Sequence, residues 1–229
     1  MNRQELGQSL NLKIEMIPEG ASNRSGKTIT PQYITIHNTS NDRAGADANA
    51  HSRFVRERGC YELPSGKQNF VSWHFTVDDK CVIKHLPVNE RAIHAGSGNA
   101  VSIGIEICMH KGIDQAAANA RAERLVAALM HDLNISPANV RPHKAWTGKA
   151  CPVLLLSKFD SFVGNSDRIC REVRAYVVPE GLLSTREFEA PQPPAEDFVL
   201  ESLGVGPEEE ISHDEEHELI AAAVNTFVQ

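Results

Sequence analysis

Ser102-Ile103-Gly104-Ile105-Glu106-Ile107 alternates isoleucine with Ser, Gly and Glu over six residues. A period of two belongs to a β-strand, whose successive side chains point to opposite faces of a sheet. Two further stretches alternate in the same way. One is Tyr33-Ile34-Thr35-Ile36-His37, and the other is Ser72-Trp73-His74-Phe75-Thr76-Val77. The second runs on through Asp78-Asp79-Lys80 to a hairpin partner over residues 81–86. If these strands share a sheet, one face collects Ile34, Ile36, Trp73, Phe75, Val77, Ile103, Ile105 and Ile107. The other face collects Thr35, His37, Ser72, His74, Thr76, Gly104 and Glu106. Such a division predicts a packed core on one side and a chemically equipped surface on the other.

Helical spacing fills the intervals between strands. Residues 114–133 begin with Asp114 as an N-cap and carry a stripe of Leu125, Val126, Leu129, Met130 and Leu133. A second helix is predicted over 46–58. A third is predicted from Pro152, where proline suits a helix opening, with Leu154, Leu155, Phe159 and Phe162 as its apolar side. Strands interleaved with helices predict an α/β fold, a mixed central β-sheet flanked by helices. Beyond it, Ala-Pro-Gln-Pro-Pro-Ala at 190–195 is a linker signal. Ser212-His213-Asp214-Glu215 is a capping-box pattern that opens an amphipathic helix through Leu219, Ile220, Val224 and Phe227. That short extension reads as a docking element, a self-association helix, or a tail that packs on the body.

Charge divides the chain as sharply as hydropathy does. Of its 229 residues, 1–179 hold 22 basic and 17 acidic side chains, whereas 180–229 hold 1 and 13. The weakly basic body has no motif for nucleic acid, and no such partner is expected. No apolar run approaches the ~20 residues that span a bilayer, so no membrane association is expected either. The first twenty residues lack the apolar core of a secretory signal, which predicts a chain that is cytoplasmic at synthesis. Five cysteines (Cys60, Cys81, Cys108, Cys151 and Cys170) include no CxxC pair. A disulfide framework is a poor reading of them, and a single cysteine as metal ligand or nucleophile is a better one.

The segment 141–152 reads Arg-Pro-His-Lys-Ala-Trp-Thr-Gly-Lys-Ala-Cys-Pro. His143 and Cys151 are both good zinc donors, and His37, at the end of the first strand on the polar face, is the natural third. Two His and one Cys leave the fourth tetrahedral position open, as a catalytic zinc requires. Glu106 interrupts an isoleucine-rich strand, where a carboxylate is expensive to bury. It reads as a general base or as a salt-bridged residue. Lys149 could hold an oxyanion or be a solvated loop lysine. His94 could touch substrate or be an exposed loop histidine, and His74 could do so or be a hydrogen-bonded sheet residue. His51, His85, His110, His131, His213 and His217 read as structural or solvated.

Five pieces together resemble the zinc-dependent N-acetylmuramoyl-L-alanine amidases, a family of phage lysis enzymes, bacterial wall amidases and related peptidoglycan recognition proteins. They are Ile34–Thr39, Val71–Asp79, His94–Gly96, Ser102–Glu106 and His143–Pro152, in family order over about residues 30–165. The resemblance implies one zinc ion on His37, His143 and Cys151, Glu106 as the base that activates the water, and Lys149 on the tetrahedral intermediate. It implies a substrate groove lined by His94, with His74 and Trp73 beside it. Many relatives carry a tyrosine near the active site where this chain has Trp73-His74. The implied domains are a lead-in over 1–29, a zinc amidase domain over 30–165, a connecting segment over 166–189 and an acidic tail over 190–229. The implied substrate is peptidoglycan, cut between N-acetylmuramic acid and L-alanine by an endolysin or prophage-type lysin acting on the wall after release. The alternatives are a recognition module that binds peptidoglycan without cutting it and a cytoplasmic amidase that recycles wall fragments.

Overall fold

A computed structural model describes residues 1–176 and 213–228. Its strands are β1 (Leu12–Ile14), β2 (Tyr33–Asn38), β3 (Cys60–Glu62), β4 (Gln68–Phe70), β5 (Phe75–Val77), β6 (Val82–Lys84), β7 (Ser102–Ile107) and β8 (Val140–Pro142). Its helices are α1 (Arg3–Gln8), α2 (Ala48–Glu57), α3 (Gln115–Leu133), α4 (Lys144–Thr147), α5 (Phe159–Arg174) and α6 (His213–Asn225). Six strands form one sheet in the order β1-β6-β5-β7-β2-β8, and β3 and β4 form a separate hairpin. Within the six, β5, β7, β2 and β8 run parallel, and β6 with β1 runs the other way. The fold is thus the mixed sheet flanked by helices that the alternation predicts.

Register sets the two faces. Ile36 pairs with Ile105 and Phe75 with Ile105, so their side chains share a face with Ile34, Ile103 and Ile107. That face is buried under α3 and α5, where Ala122, Leu125, Val126, Met130, Phe162 and Ile169 meet it. Asp114 caps α3 as expected, its side chain accepting from the Ala117 amide. One step along each strand, His37 pairs with Glu106 and Thr76 with Glu106, which places all three on the opposite face. There α2, the β3–β4 hairpin and α6 enclose a second apolar cluster that includes Phe54, Tyr61, Val71, Leu86 and Val224.

Trp73 is a correction to the sequence reading, because it belongs to this second cluster and not to the α3 face. Ser72 exchanges backbone hydrogen bonds with Ile93 at 2.9 and 3.2 Å, so the chain leaves the line of β5 before reaching Phe75. The indole turns over and donates to Thr76 Oγ1 at 2.7 Å, and Thr76 in turn meets His85 Nε2 at 2.9 Å. The third helix is a second correction. It opens at Phe159, after a single 3-10 turn over Leu156–Lys158. The backbone carbonyl of Pro152 is taken by the amides of Leu155 and Leu156, which closes a turn where the sequence suggested a helix start.

The flanks are structured too. β1 adds an edge strand beside β6, and α1 carries Leu6 into the main core. Residues 166–174 are the second half of α5, packed through Ile169, Cys170 and Val173. The 190–195 linker and the Ser212 cap lie outside the described residues. The five cysteines are all free and buried. Among the described residues no helix is long and apolar enough to cross a membrane.

Candidate metal centre and active-site cleft

Parallel strands deliver the site residues to one edge of the sheet. His37 is the penultimate residue of β2, Glu106 lies beside it on β7, and His143 follows the end of β8, its amide donating to Ile36 O at 3.1 Å. From His143 the chain makes the one-turn helix α4, which ends in the left-handed Gly148 at φ 81°. Glycine has no Cβ to oppose that conformation. The loop then folds back until the Lys144 amide donates to Cys151 O at 3.0 Å. Residues eight apart are thereby brought to one place. The His37, His143 and Cys151 donor atoms lie within 4.8 Å of one another, and all three residues are buried.

The loop is clamped from below. Trp146 Nε1 donates to Thr35 Oγ1 at 2.9 Å, Thr35 donates to Ser102 Oγ at 2.9 Å, and Tyr33 meets the indole edge-on. Gly98 lets the indole this close, since a Cβ there would stand 2.8 Å from Trp146 Cδ2. Asn38 adds a bond from the other side, its Oδ1 accepting from the Leu154 amide at 3.0 Å.

Burial sets the protonation states. It pushes His37 well below its ordinary value, with His143 and His94 acting in the same direction, so the ring is neutral and its lone pair available. It pushes the Cys151 thiol up to about 12. A buried thiol that resists ionisation is a poor nucleophile in isolation, whereas beside a divalent cation it ionises and binds. Two imidazoles and one sulfur at this spacing suit a small transition cation that favours nitrogen and sulfur. The donor set fits a metal.

Glu106 Oε1 lies 3.7 Å from His37 Nδ1, while Oε2 is buried without a hydrogen-bond partner. Burial raises this carboxyl to about 8, with Lys149 opposing and Glu216 adding to the shift. Lys149 is 3% exposed, and its ammonium meets the Glu216 carboxylate of α6. His94 stands over the sheet with Nδ1 3.0 Å from His37 Nε2. Gly104 makes room for it, because a Cβ there would lie 2.7 Å from the His94 ring. Asn99 Oδ1 holds the same turn by accepting from the His94 and Ala95 amides at 2.8 and 2.6 Å. His74 lies beneath, packed edge-on against His94. Its Nε2 donates to Glu90 O and its Nδ1 accepts from the Gly104 amide, both at 2.9 Å.

These groups face a cleft of about 640 Å³. His37, His143, Cys151, Glu106, Lys149, His94 and Trp73 all line it, and His74 supports it from behind. The cleft also takes in residues that sequence reasoning passed over: Tyr61, His51, Asn99, and Glu216, His217 and Ile220 of α6. His51 and His217 read as structural or solvated in sequence because nothing local to either marks a cleft. Of the C-terminal acidic run, the sequence reveals charge but no address.

A family model described as N-acetylmuramoyl-L-alanine amidase matches residues 27–153. The amidase XlyA of Bacillus subtilis (strain 168) is 49% identical over 157 residues, which are 67% of this chain and 50% of XlyA. CwlH of the same organism, also described as an N-acetylmuramoyl-L-alanine amidase, is 40% identical over 76% of this chain and 70% of CwlH. The chain thus spans about half the length of the first relative. A solved structure described as a mutant endolysin from Bacillus subtilis superposes with a TM-score of 0.63 at 48% identity, covering 69% of this chain and 99% of that one.

Proposed function

Because the chain belongs to the N-acetylmuramoyl-L-alanine amidase family, we propose that it hydrolyses the amide between the lactyl group of N-acetylmuramic acid and L-alanine in peptidoglycan. The observation that carries this reading is the buried His37, His143 and Cys151 cluster with Glu106 beside it in one cleft. We assign the metal as one zinc ion held by those three residues. Bound there, zinc supplies Lewis acidity, which acidifies a water and polarises the scissile carbonyl.

The chain's own residues do the rest. Glu106 takes the proton of the attacking water and returns it to the departing L-alanine nitrogen. Burial favours the protonated carboxyl that delivers the proton, and the neighbouring Lys149 ammonium favours the carboxylate that takes it. The Lys149 ammonium donates to the oxyanion that forms on the lactyl carbonyl. His94 and Trp73 line the groove that orients the muramoyl peptide, and His74 acts through His94 as a positioning residue. The catalytic unit is residues 30–165, supported by α1, β1 and the second half of α5 on its flanks. Likeness to a structure described as a mutant endolysin, at 48% identity, supports a lysin acting on the wall from within an infected or lysogenic cell.

The test is mass spectrometry of purified peptidoglycan digested by the zinc-loaded chain with and without chelator. Stem peptides with a free L-alanine amine, released only without chelator, are the expected result. A folded, zinc-loaded chain that sediments with the wall and releases nothing would instead be a recognition module. Chelator-insensitive cutting would sink the metal assignment.

A further inference from the structure

Helix α6 forms one wall of the cleft. Its apolar side, formed by Leu219, Ile220, Ala223 and Val224, packs with Phe227 just beyond it on the cluster built around Phe54, Val71 and Trp73. Polar contacts fix its position: Asn41 Nδ2 donates to Asn225 Oδ1 at 3.1 Å, and Arg53 donates to Phe227 O. On the side facing the metal donors, Glu216 accepts from Lys149 Nζ and, at 3.0 Å, from Tyr61 OH. His217 and Ile220 continue the same surface over the cleft.

We propose that α6 is an intramolecular inhibitor, a segment of the chain that walls the substrate cleft and sets the Glu216 carboxylate against Lys149, where the substrate oxyanion must form. This inference rests on the amidase reading of the site. A carboxylate and a tetrahedral oxyanion compete for the same ammonium, and an ammonium already paired with a half-buried carboxylate has less charge left to offer. Productive turnover therefore belongs only to the fraction of molecules in which α6 has swung away, and kcat/KM falls by that fraction.

The contact is built for release. Glu216 and Lys149 form a charge pair at the cleft and not in the main core, and removing one partner leaves the other buried without a counter-charge. Glu216→Gln therefore destabilises the closed state and spares the open one. Val224→Asp, which places a charge at a position that is 0% exposed, undocks the helix by a separate route.

The experiment compares kcat/KM of zinc-loaded, full-length wild type, Glu216→Gln and Val224→Asp on a soluble muramoyl peptide. It adds hydrogen exchange of residues 213–225 in full-length Glu106→Gln with and without that peptide. The expected results are a gain in kcat/KM of about tenfold for Glu216→Gln, as a helix closed in nine molecules of ten requires, and faster exchange in α6 when the peptide binds. Wild-type cleavage with no gain in Glu216→Gln would overturn the inference and leave the amidase reading intact. Slower exchange in α6 on binding would do the same by showing that substrate and the docked helix bind together. A peptide neither bound nor cut by any variant would overturn both readings together.

Discussion

Glu106 shows how much one residue's surroundings decide. Its Oε2 has no hydrogen-bond partner, and its Oε1 stands 3.7 Å from a metal-donor imidazole. Glu106→Gln keeps the volume and removes the proton acceptor, so turnover should fall by about 10²–10⁴-fold while zinc content per chain is unchanged. Near-normal turnover would end the assigned role. Cys151→Ser replaces a soft donor with a poor one, and elemental analysis should find the metal lost along with activity. Zinc retained in that variant would remove Cys151 from the ligand set. Gly104 offers a subtler test. An alanine Cβ there meets the His94 ring at 2.7 Å, so Gly104→Ala should displace His94 and cost about 1–3 kcal/mol of stability. An unshifted urea midpoint would show that the ring has room to move.

At the scale of elements, the sheet presents the chemistry and the helices behind it hold the sheet. Leu125 of α3 is 3% exposed and packs on the isoleucine face of β2 and β7. Leu125→Ala should cost about 2–5 kcal/mol in urea unfolding without altering the metal content of the folded fraction, since α3 lies on the face opposite the site. Loss of zinc at equal folded fraction would mean that the two faces are coupled. The α3 stripe and the β2 and β7 alternations are legible in sequence because periods of 3.6 and 2 are local properties of the chain. Trp73 escapes the same reasoning. Its place depends on Ser72 pairing with Ile93, a partner 21 residues away. The start of α5 fails for a related reason, since proline suits both a helix opening and the turn that replaces it.

Across the whole molecule, burying histidines couples the fold to pH. Burial pushes His51 and His74 down to about 4 and His85 to about 3, against 6.5 in the unfolded chain. Below pH 6.5 the unfolded chain therefore holds more protons than the folded one, and stability falls as pH falls towards those lower values. At pH 5.5 each ring costs about 1.4 kcal/mol, or about 4 kcal/mol for the three. Glu106, raised to about 8 by burial, offsets part of that loss and the lowered His37 and His94 add to it, so the urea midpoint should still drop between pH 7.5 and 5.5. An unchanged midpoint would mean that these rings are charged or solvated in the folded state.

The sequence by itself determined the α/β class, the two faces of the sheet, and the presence of His37, His143, Cys151, Glu106 and Lys149 in chemically telling positions. Those follow from local periodicity and from residue type at a given spacing, which need no knowledge of distant neighbours. Tertiary structure alone decided that His143 and Cys151 converge on His37, through a loop closed by a backbone hydrogen bond. It alone decided that His74 stands behind His94 and not in the cleft. Above all, it placed an acidic helix on Lys149 across 67 residues of chain. Ion pairing acts through space, and the free energy that selects Glu216 as the partner of Lys149 comes from docking a whole helix face. No local pattern carries that information.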